Sequence, residues 1–452
     1  MTTKLQSILK VAILLLIFVA LGMGGWFVYT NFIKGDGTKP PEEGDVELIW
    51  WTLWEDEESL KVLSDAFTSQ NPNVTIRIVP HLEKNYKDRL IRQLNAPEEE
   101  RPDIIPMHNT WLPLFQRSLS PLPSTVLSES EYANTFYNVA LFDFKGSDGR
   151  IYAIPLMYDG IGVYYNKTLL KKGGFMFPED NWDDFADQAM ALTEYDAKGN
   201  IKVAGVSMGT ASNVQFSFDI VNLLMLQEGT TMTDASGKTA FANDPEMKAG
   251  RALKTYVDYT VRYHVWDRSL PDDIVMFTEG NLAMMFAPSW RAQNIIDALE
   301  WGGGTLDFEV APVPQQPTFL GAQKNWANYW AYGVMGNSEH SETAWRFLKF
   351  ITEQDQLRAF YEKCKEVREY GEIYPRRDMK DELIGDQYVG AYVKMADTAV
   401  TWRMVDSEKV ALEFNALVDE AARSGGYSIS GYQKALEGIA VTIDQIITSS
   451  YQ

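Results

Sequence analysis

The chain has 452 residues, with 62 acidic against 41 basic side chains and a net charge of −21. That balance excludes a nucleic-acid partner and broad adsorption to anionic lipid, and it favours neutral or cationic ligands. A single cysteine, Cys364, excludes an intramolecular disulfide framework, so the outer domain must be stable from its own core; as a lone thiol on a helix, Cys364 reads as a small buried side chain.

Residues 11–33 carry no charged side chain and are long enough to cross the ~30 Å hydrocarbon core of a bilayer. Lys4 and Lys10 precede them, which predicts a cytoplasmic stretch at 1–10, a transmembrane anchor at 11–33 and an extracytoplasmic remainder. A cleaved signal peptide is the rival, but the run exceeds the ~7–15 residues of a signal core and no small-x-small site comes after it. No cysteine stands there to make a lipobox. Residues 34–45, rich in Gly, Pro and charge, read as a tether. The remaining chain, residues 46–452, is longer than one typical domain, so two lobes are expected.

Val46-Glu-Leu-Ile-Trp-Trp-Thr-Leu-Trp54 carries the β-branched and aromatic content of a strand, and Leu60, Leu63 and Phe67 then recur at helical spacing. Asn71-Pro-Asn closes that helix. A second strand at 74–79, a helix at 86–95 and a third strand at 102–107 continue the alternation, which predicts a largely parallel sheet with ligands beyond the carboxyl ends of its strands. In Gly149-Arg-Ile-Tyr-Ala-Ile-Pro-Leu-Met-Tyr-Asp-Gly-Ile-Gly-Val-Tyr-Tyr-Asn166, Ile154, Leu156, Ile161, Val163 and Tyr165 suit one buried strand crossing between lobes. Asp159 in its middle is a charge that burial would penalise, so it is expected to face a cleft. Asn181-Trp-Asp-Asp184 reads as a capped helix start ahead of Phe185, Ala189 and Leu192. The region 381–452 shows helical periodicity, as in Leu436, Ile439, Ile443 and Ile446, and is expected to pack on the second lobe.

The strand ending Tyr-Tyr-Asn-Lys with its capped Trp-Asp-Asp-Phe helix resembles the family 1 extracellular solute-binding proteins, the sugar-binding components of ABC importers. Phe277-Thr-Glu-Gly-Asn-Leu-Ala-Met-Met-Phe-Ala-Pro-Ser-Trp290 is similar to that family's second crossing, and Ala311-Pro-Val-Pro314 to the proline strand after it. Trp330-Ala-Tyr-Gly-Val-Met-Gly-Asn337 with Ser341-Glu-Thr-Ala-Trp-Arg-Phe-Leu-Lys-Phe-Ile351 resembles the third crossing and its packed helix. The pieces span nearly all of residues 46–452 in family order. The resemblance implies a two-lobed α/β fold of the periplasmic-binding-protein type II with three hinge crossings, near 158–162, 283–286 and 328–332. It places residues 46–158 and 286–328 in an N-terminal lobe, and 159–285 and 329–452 in a C-terminal lobe.

It further implies a monomeric receptor, not an enzyme, that binds a mono- or oligosaccharide between the lobes and delivers it to an ABC permease. A sugar needs aromatic platforms for its C–H faces and polar groups for its hydroxyl rim, and 13 tryptophans supply platforms. The positions that the resemblance brings to the cleft are Trp51 and Trp54, Asn109 and Trp111, Tyr158 and Asp159, Trp290, and Trp330 with Tyr332; Trp402 and Arg403 are candidates for a late wall. Trp50, Trp182 and Trp345 are assigned to the core. No cofactor is implied. His81, His108, His264 and His340 are scattered, which gives no metal motif, and His108 reads as a structural hydrogen-bonder. A receptor of the same fold for polyamine or peptide, and a glycoside-processing enzyme using Asp159 in a carboxylate pair, are the alternatives.

Overall fold

The computed structural model describes residues 45–93, 101–316 and 322–450. The cytoplasmic stretch at 1–10, the anchor at 11–33 and all but the last residue of the tether lie outside them. Among the described residues no helix is long and apolar enough to cross a membrane. Asp45–Glu47 with Pro72–Thr75 belong to a small separate unit; the body is Leu48–Asn71 with Ile76 onward.

Two sheets organise the body. The first has the order β2-β1-β3-β12-β4, with β5 beside β12. Its strands are β1 (Val46–Leu53), β2 (Val74–His81), β3 (Ile104–His108), β4 (Leu119–Ser120), β5 (Ile154–Pro155) and, from far along the chain, β12 (Trp330–Met335). The second has the order β10-β6-β9-β8-β7, from β6 (Gly162–Asn166), β7 (Glu194–Tyr195), β8 (Ile201–Val206), β9 (Leu282–Ala287) and β10 (Phe308–Ala311). A short parallel pair, β11 (Asn325–Trp326) with β13 (Ala399–Val400), lies in neither sheet.

Helix Glu57–Gln70 is capped by the Asp56 carboxylate, which accepts the Ser59 N–H at 2.9 Å, and it buries Leu60, Leu63 and Phe67 as their spacing predicts. Helix Trp182–Leu192 has the Asn181 cap read from sequence, its side-chain oxygen accepting the Asp184 N–H at 3.0 Å. Trp50, Trp182 and Trp345 are core residues, and Cys364 is buried. The C-terminal helices Ser407–Arg423 and Ile429–Ser450 pack on helix Lys248–Val261 of the second lobe.

Three expectations are corrected. The single strand expected around Asp159 is two short ones, β5 in the first sheet and β6 in the second, because the chain changes lobe between them. The sheets are mixed: β1 and β3 are parallel, but β12 runs antiparallel to β3, and β6 antiparallel to β9. The crossings also shift. β9 is a central strand of the second sheet and β10 pairs with β6 there, so the chain does not return at 283–286, and the segment 286–328 is not first-lobe as a whole. The return comes at β12, which the boundary at 329 had placed in the second lobe. The last passage lies between Arg376, bridged to Phe136, and Tyr392, whose hydroxyl donates to the Ala287 carbonyl at 2.7 Å. An all-apolar run such as Leu282–Ala287 suits a central strand of either sheet, so periodicity alone does not assign it.

Candidate functional site

The carboxyl ends of β1 and β3 meet the amino end of the antiparallel β12, with Trp330 in register with His108. Aromatic side chains collect at this edge. Trp330, half-buried, is edge-to-face with Trp54 at 4.8 Å, Trp111 at 5.0 Å and His108 at 5.2 Å, and Trp111 stacks on Tyr86 at 6.2 Å. Such edge-on pairs are the favoured aromatic geometry. Trp54 is 55 % exposed and sits in the left-handed region at φ 56°, an uncommon conformation for a bulky residue that functional sites retain.

Beside this wall is a cavity of about 180 Å³ lined by Tyr86, Lys87, His108, Trp111, Trp330 and Glu408 among others. It is bounded from both lobes. Lys87, on helix Tyr86–Gln93, places its ammonium 2.8 Å from Asp406 and 2.9 Å from Glu408, at the start of helix Ser407–Arg423. Burial alone would lower the Lys87 ammonium, but its hydrogen bonds to the two carboxylates outweigh that and hold it above its ordinary value. Val405, at φ 61°, is a β-branched residue in the left-handed region, and it delivers Asp406 to this contact.

The floor is a relay of hydrogen bonds. Burial pulls His108 down to about 4, so its ring is neutral. Asn328 donates its Nδ2 to Asp219 at 2.8 Å and thus presents its Oδ1 to His108 Nε2 at 2.9 Å, which assigns the ring proton to Nε2; Nδ1 accepts from the Thr110 hydroxyl at 2.8 Å. Asp219, from helix Ser217–Gln227 of the second lobe, also accepts from Trp326 Nε1 at 2.7 Å, and burial raises its carboxyl.

The second lobe contributes a thinner rim. Trp290, 44 % exposed, starts helix Arg291–Gly302, with the Arg291 guanidinium 4.5 Å over its ring and Phe216 edge-on at 5.8 Å. Arg291 also donates to Gln215. The residue before Trp290 is clasped by the first crossing: Asp159 accepts the Ser289 N–H at 3.1 Å and its hydroxyl at 2.9 Å, and the Gly160 N–H at 2.7 Å. Burial pushes the Asp159 carboxyl up to about 7, against the pull of those donors.

Of the residues read from sequence, Trp54, Trp111 and Trp330 come together at the cavity edge, and Trp290 stands exposed on the second lobe. Trp111 is 4 % exposed, and its buried indole N–H has no hydrogen-bond partner among the described residues. The others do not face the cleft. Trp51 is buried against His81 at 4.1 Å, and Tyr332 against Trp50 at 5.4 Å, each lying inside its strand rather than at the strand end where Trp54 and Trp330 stand. Tyr158 is buried between Tyr137 and Tyr329. Asn109 donates to Asp143 at 3.3 Å and braces the crossing, and Asp159 is occupied as the clasp. Arg403 donates to the Phe142 and Lys145 carbonyls, and Trp402 is buried with its N–H on Asn222 at 2.6 Å. Sequence reading missed Tyr86, Lys87 and Glu408 and set His108 aside. The rule that ligands bind beyond strand carboxyl ends points to the first two, just after β2; no local signal marks Glu408.

A sequence-family model described as bacterial extracellular solute-binding protein matches residues 63–368. The chain belongs to the bacterial extracellular solute-binding proteins. Maltodextrin-binding protein MdxE of Bacillus subtilis is 25 % identical over 405 residues, covering 86 % of each chain. A maltooligosaccharide ABC transporter solute-binding lipoprotein of Streptococcus pneumoniae is 22 % identical over 239 residues, 49 % of each chain. Among solved structures, a cyclo/maltodextrin-binding protein complexed with maltotetraose superposes with a TM-score of 0.70 at 18 % identity, covering 90 % of this chain and 98 % of its own. The sugar-binding protein MalE from Xanthomonas citri gives 0.71 at 17 % identity, over 89 % and 98 %. The two-lobed architecture is therefore that of the solute-binding fold, and this family is one of receptors rather than enzymes.

Proposed function

We propose that this solute-binding protein is a carbohydrate receptor that takes an oligosaccharide, with maltodextrins the first candidates, and delivers it to an ABC importer permease. The observation that carries the reading is the aromatic wall of Trp54, Trp330 and Trp111 beside a cavity whose opposite side is polar, with Lys87 and Glu408. Sugar rings offer apolar C–H faces to the first and hydroxyls to the second, and a desolvated polar rim penalises ligands that leave its groups unpaired. Maltodextrin and maltooligosaccharide binding in the named relatives supports the ligand class. The binding groups we assign are Trp54, Trp111 and Trp330 from the first lobe, Trp290 from the second, and Lys87 and Glu408 as hydroxyl partners, with His108 as part of the floor beneath them.

We infer too that residues 11–33 anchor the receptor outside the cell membrane, which raises its effective concentration near a permease. Retention of the full chain in the carbonate-washed membrane fraction is the expected result, and recovery as a shortened soluble protein the contrary one.

The test of the receptor reading is a thermal-shift screen of the full chain against mono- and oligosaccharides, polyamines and peptides. A ligand that binds only the native state raises the melting temperature. A maltodextrin shift is expected; a shift with polyamine or peptide alone would reassign the ligand to the acidic side of the rim, where Glu83, Asp88 and Glu408 stand.

A further inference from the structure

A charge cluster next to Trp54 lies outside the lining of the cavity. Glu55, the next residue, has a side chain only 7 % exposed, and Arg368 Nη2 lies 3.1 Å from one of its oxygens and 2.8 Å from Glu372. The Cys364 thiol donates to the same Glu55 oxygen at 3.5 Å. Arg368 comes just after helix Gln354–Cys364, which packs on helix Glu57–Gln70 of the first lobe. Two residues on, the chain reaches the second lobe: the Tyr370 hydroxyl donates to the Ser289 carbonyl at 2.6 Å and accepts the Gln293 N–H at 3.1 Å, while the Glu369 N–H donates to Gln293 Oε1 at 2.9 Å. The Ile373 carbonyl then accepts the Tyr158 N–H at 2.9 Å, at the first crossing. Residues 368–373 thus join the backbone beside Trp54 to the backbone beside Trp290.

We propose that residues 368–373 are a positioning strap, in which Arg368, held by Glu55 and Glu372, and Tyr370, held by Ser289 and Gln293, set Trp54 and Trp290 relative to one another and so set the affinity for ligand. This rests on reading the cleft as a saccharide site. Neither Arg368 nor Tyr370 lines the cavity, so each acts through the tryptophan beside its partner.

Two carboxyls on one guanidinium make the strap sensitive to protons. Burial and then Glu372 push Glu55 up to about 8, with Arg368 pulling it down. The groups facing it are Glu372 and Arg368 from the strap, Cys364 from helix Gln354–Cys364 and Tyr332 from β12, with Asp159 facing Glu372 from the first crossing. While Glu55 is protonated, the Arg368 charge is shared with Glu372 alone. When Glu55 ionises, a second buried negative charge appears that one guanidinium cannot balance, and the strap loosens.

The experiment is calorimetric titration of the full chain with maltotetraose between about pH 6 and about pH 9, where a group titrating near 8 is read by linkage. Wild-type affinity is expected to fall by up to about tenfold per pH unit above 8, the limit for one linked proton. Glu55→Gln should flatten the profile, Tyr370→Phe should weaken binding by at least about fivefold, since it removes both hydrogen bonds of that hydroxyl, and Arg368→Lys should keep more affinity than Arg368→Met. A flat wild-type profile, a profile that survives in Glu55→Gln, or wild-type affinity in Tyr370→Phe overturns the strap. Tryptophan fluorescence of the unliganded protein, taken as the difference from Trp54→Phe, separates the two readings. A transition near pH 8 that vanishes in Glu55→Gln, in a protein that ignores maltotetraose, keeps the strap and rejects the sugar; no transition rejects the strap.

Discussion

The two aromatic rims are built differently. On the first lobe, Trp330 touches Trp54, Trp111, Tyr86 and His108, and Trp111 and Tyr86 belong to the same buried core as Leu90, Ile105 and Met107. On the second lobe, Trp290 has one ring neighbour and one guanidinium among the described residues, and its place depends on the Asp159 clasp behind Ser289. The difference teaches that one rim is set by packing and the other by hydrogen bonds at a crossing. Packing fixes a platform before any ligand arrives, whereas a rim hung on a crossing moves with the hinge, and contacts made only in one lobe arrangement shift the population toward it.

Substitutions can break that contrast, beginning with the largest effect. Trp111→Ala should cost ~3–5 kcal/mol, the usual range for emptying a buried tryptophan site, and should lower the denaturant midpoint sharply. Asp159→Ala leaves the Ser289 and Gly160 donors without an acceptor, at ~1–3 kcal/mol for each one left buried. It should also weaken ligand binding through Trp290 while leaving the first rim intact, a pattern that chemical denaturation and titration calorimetry together would show. Trp290→Ala should leave stability within ~0.5 kcal/mol, as exposed positions do, and reduce affinity alone.

Melting temperature against pH sharpens the comparison further, because buried carboxyls stand at the crossing and beside the rims. Burial raises Asp143 and Asp159 to about 7, Asp273 to about 6 and Glu55 to about 8. Each holds its proton more tightly folded than unfolded. Their stabilisation is therefore complete below the ordinary carboxyl range and is lost as pH rises through 6 to 8. The melting temperature should be several degrees higher at mildly acidic pH than at mildly alkaline pH, and Glu55→Gln should remove the most alkaline part of the slope.

Much of the fold is legible in local chemistry. The helix start at Asn181 is read from a side chain that accepts a nearby N–H, a relation spanning three residues. Strand assignment to lobes is not legible in this way, since β12 joins β3 across more than two hundred residues and Leu282–Ala287 is apolar on both faces. The site divides likewise. Trp54 and Trp330 are found by position at strand ends, but Trp51 and Tyr332 lie within β1 and β12 and face the core, and which strand residues are covered is settled only once the neighbouring elements are known. Lys87 and Glu408 meet only because two lobes do; Lys87 is marked only by its place after β2, and Glu408 by nothing local in the chain.

The most direct test of the receptor reading is calorimetric titration of the full chain and of Trp330→Ala with maltotetraose. Saturable binding by the wild type that is lost in Trp330→Ala, with the variant still melting cooperatively, is the predicted result. Undiminished binding by the variant, or no heat in the wild type with maltotetraose or shorter maltodextrins, would contradict it.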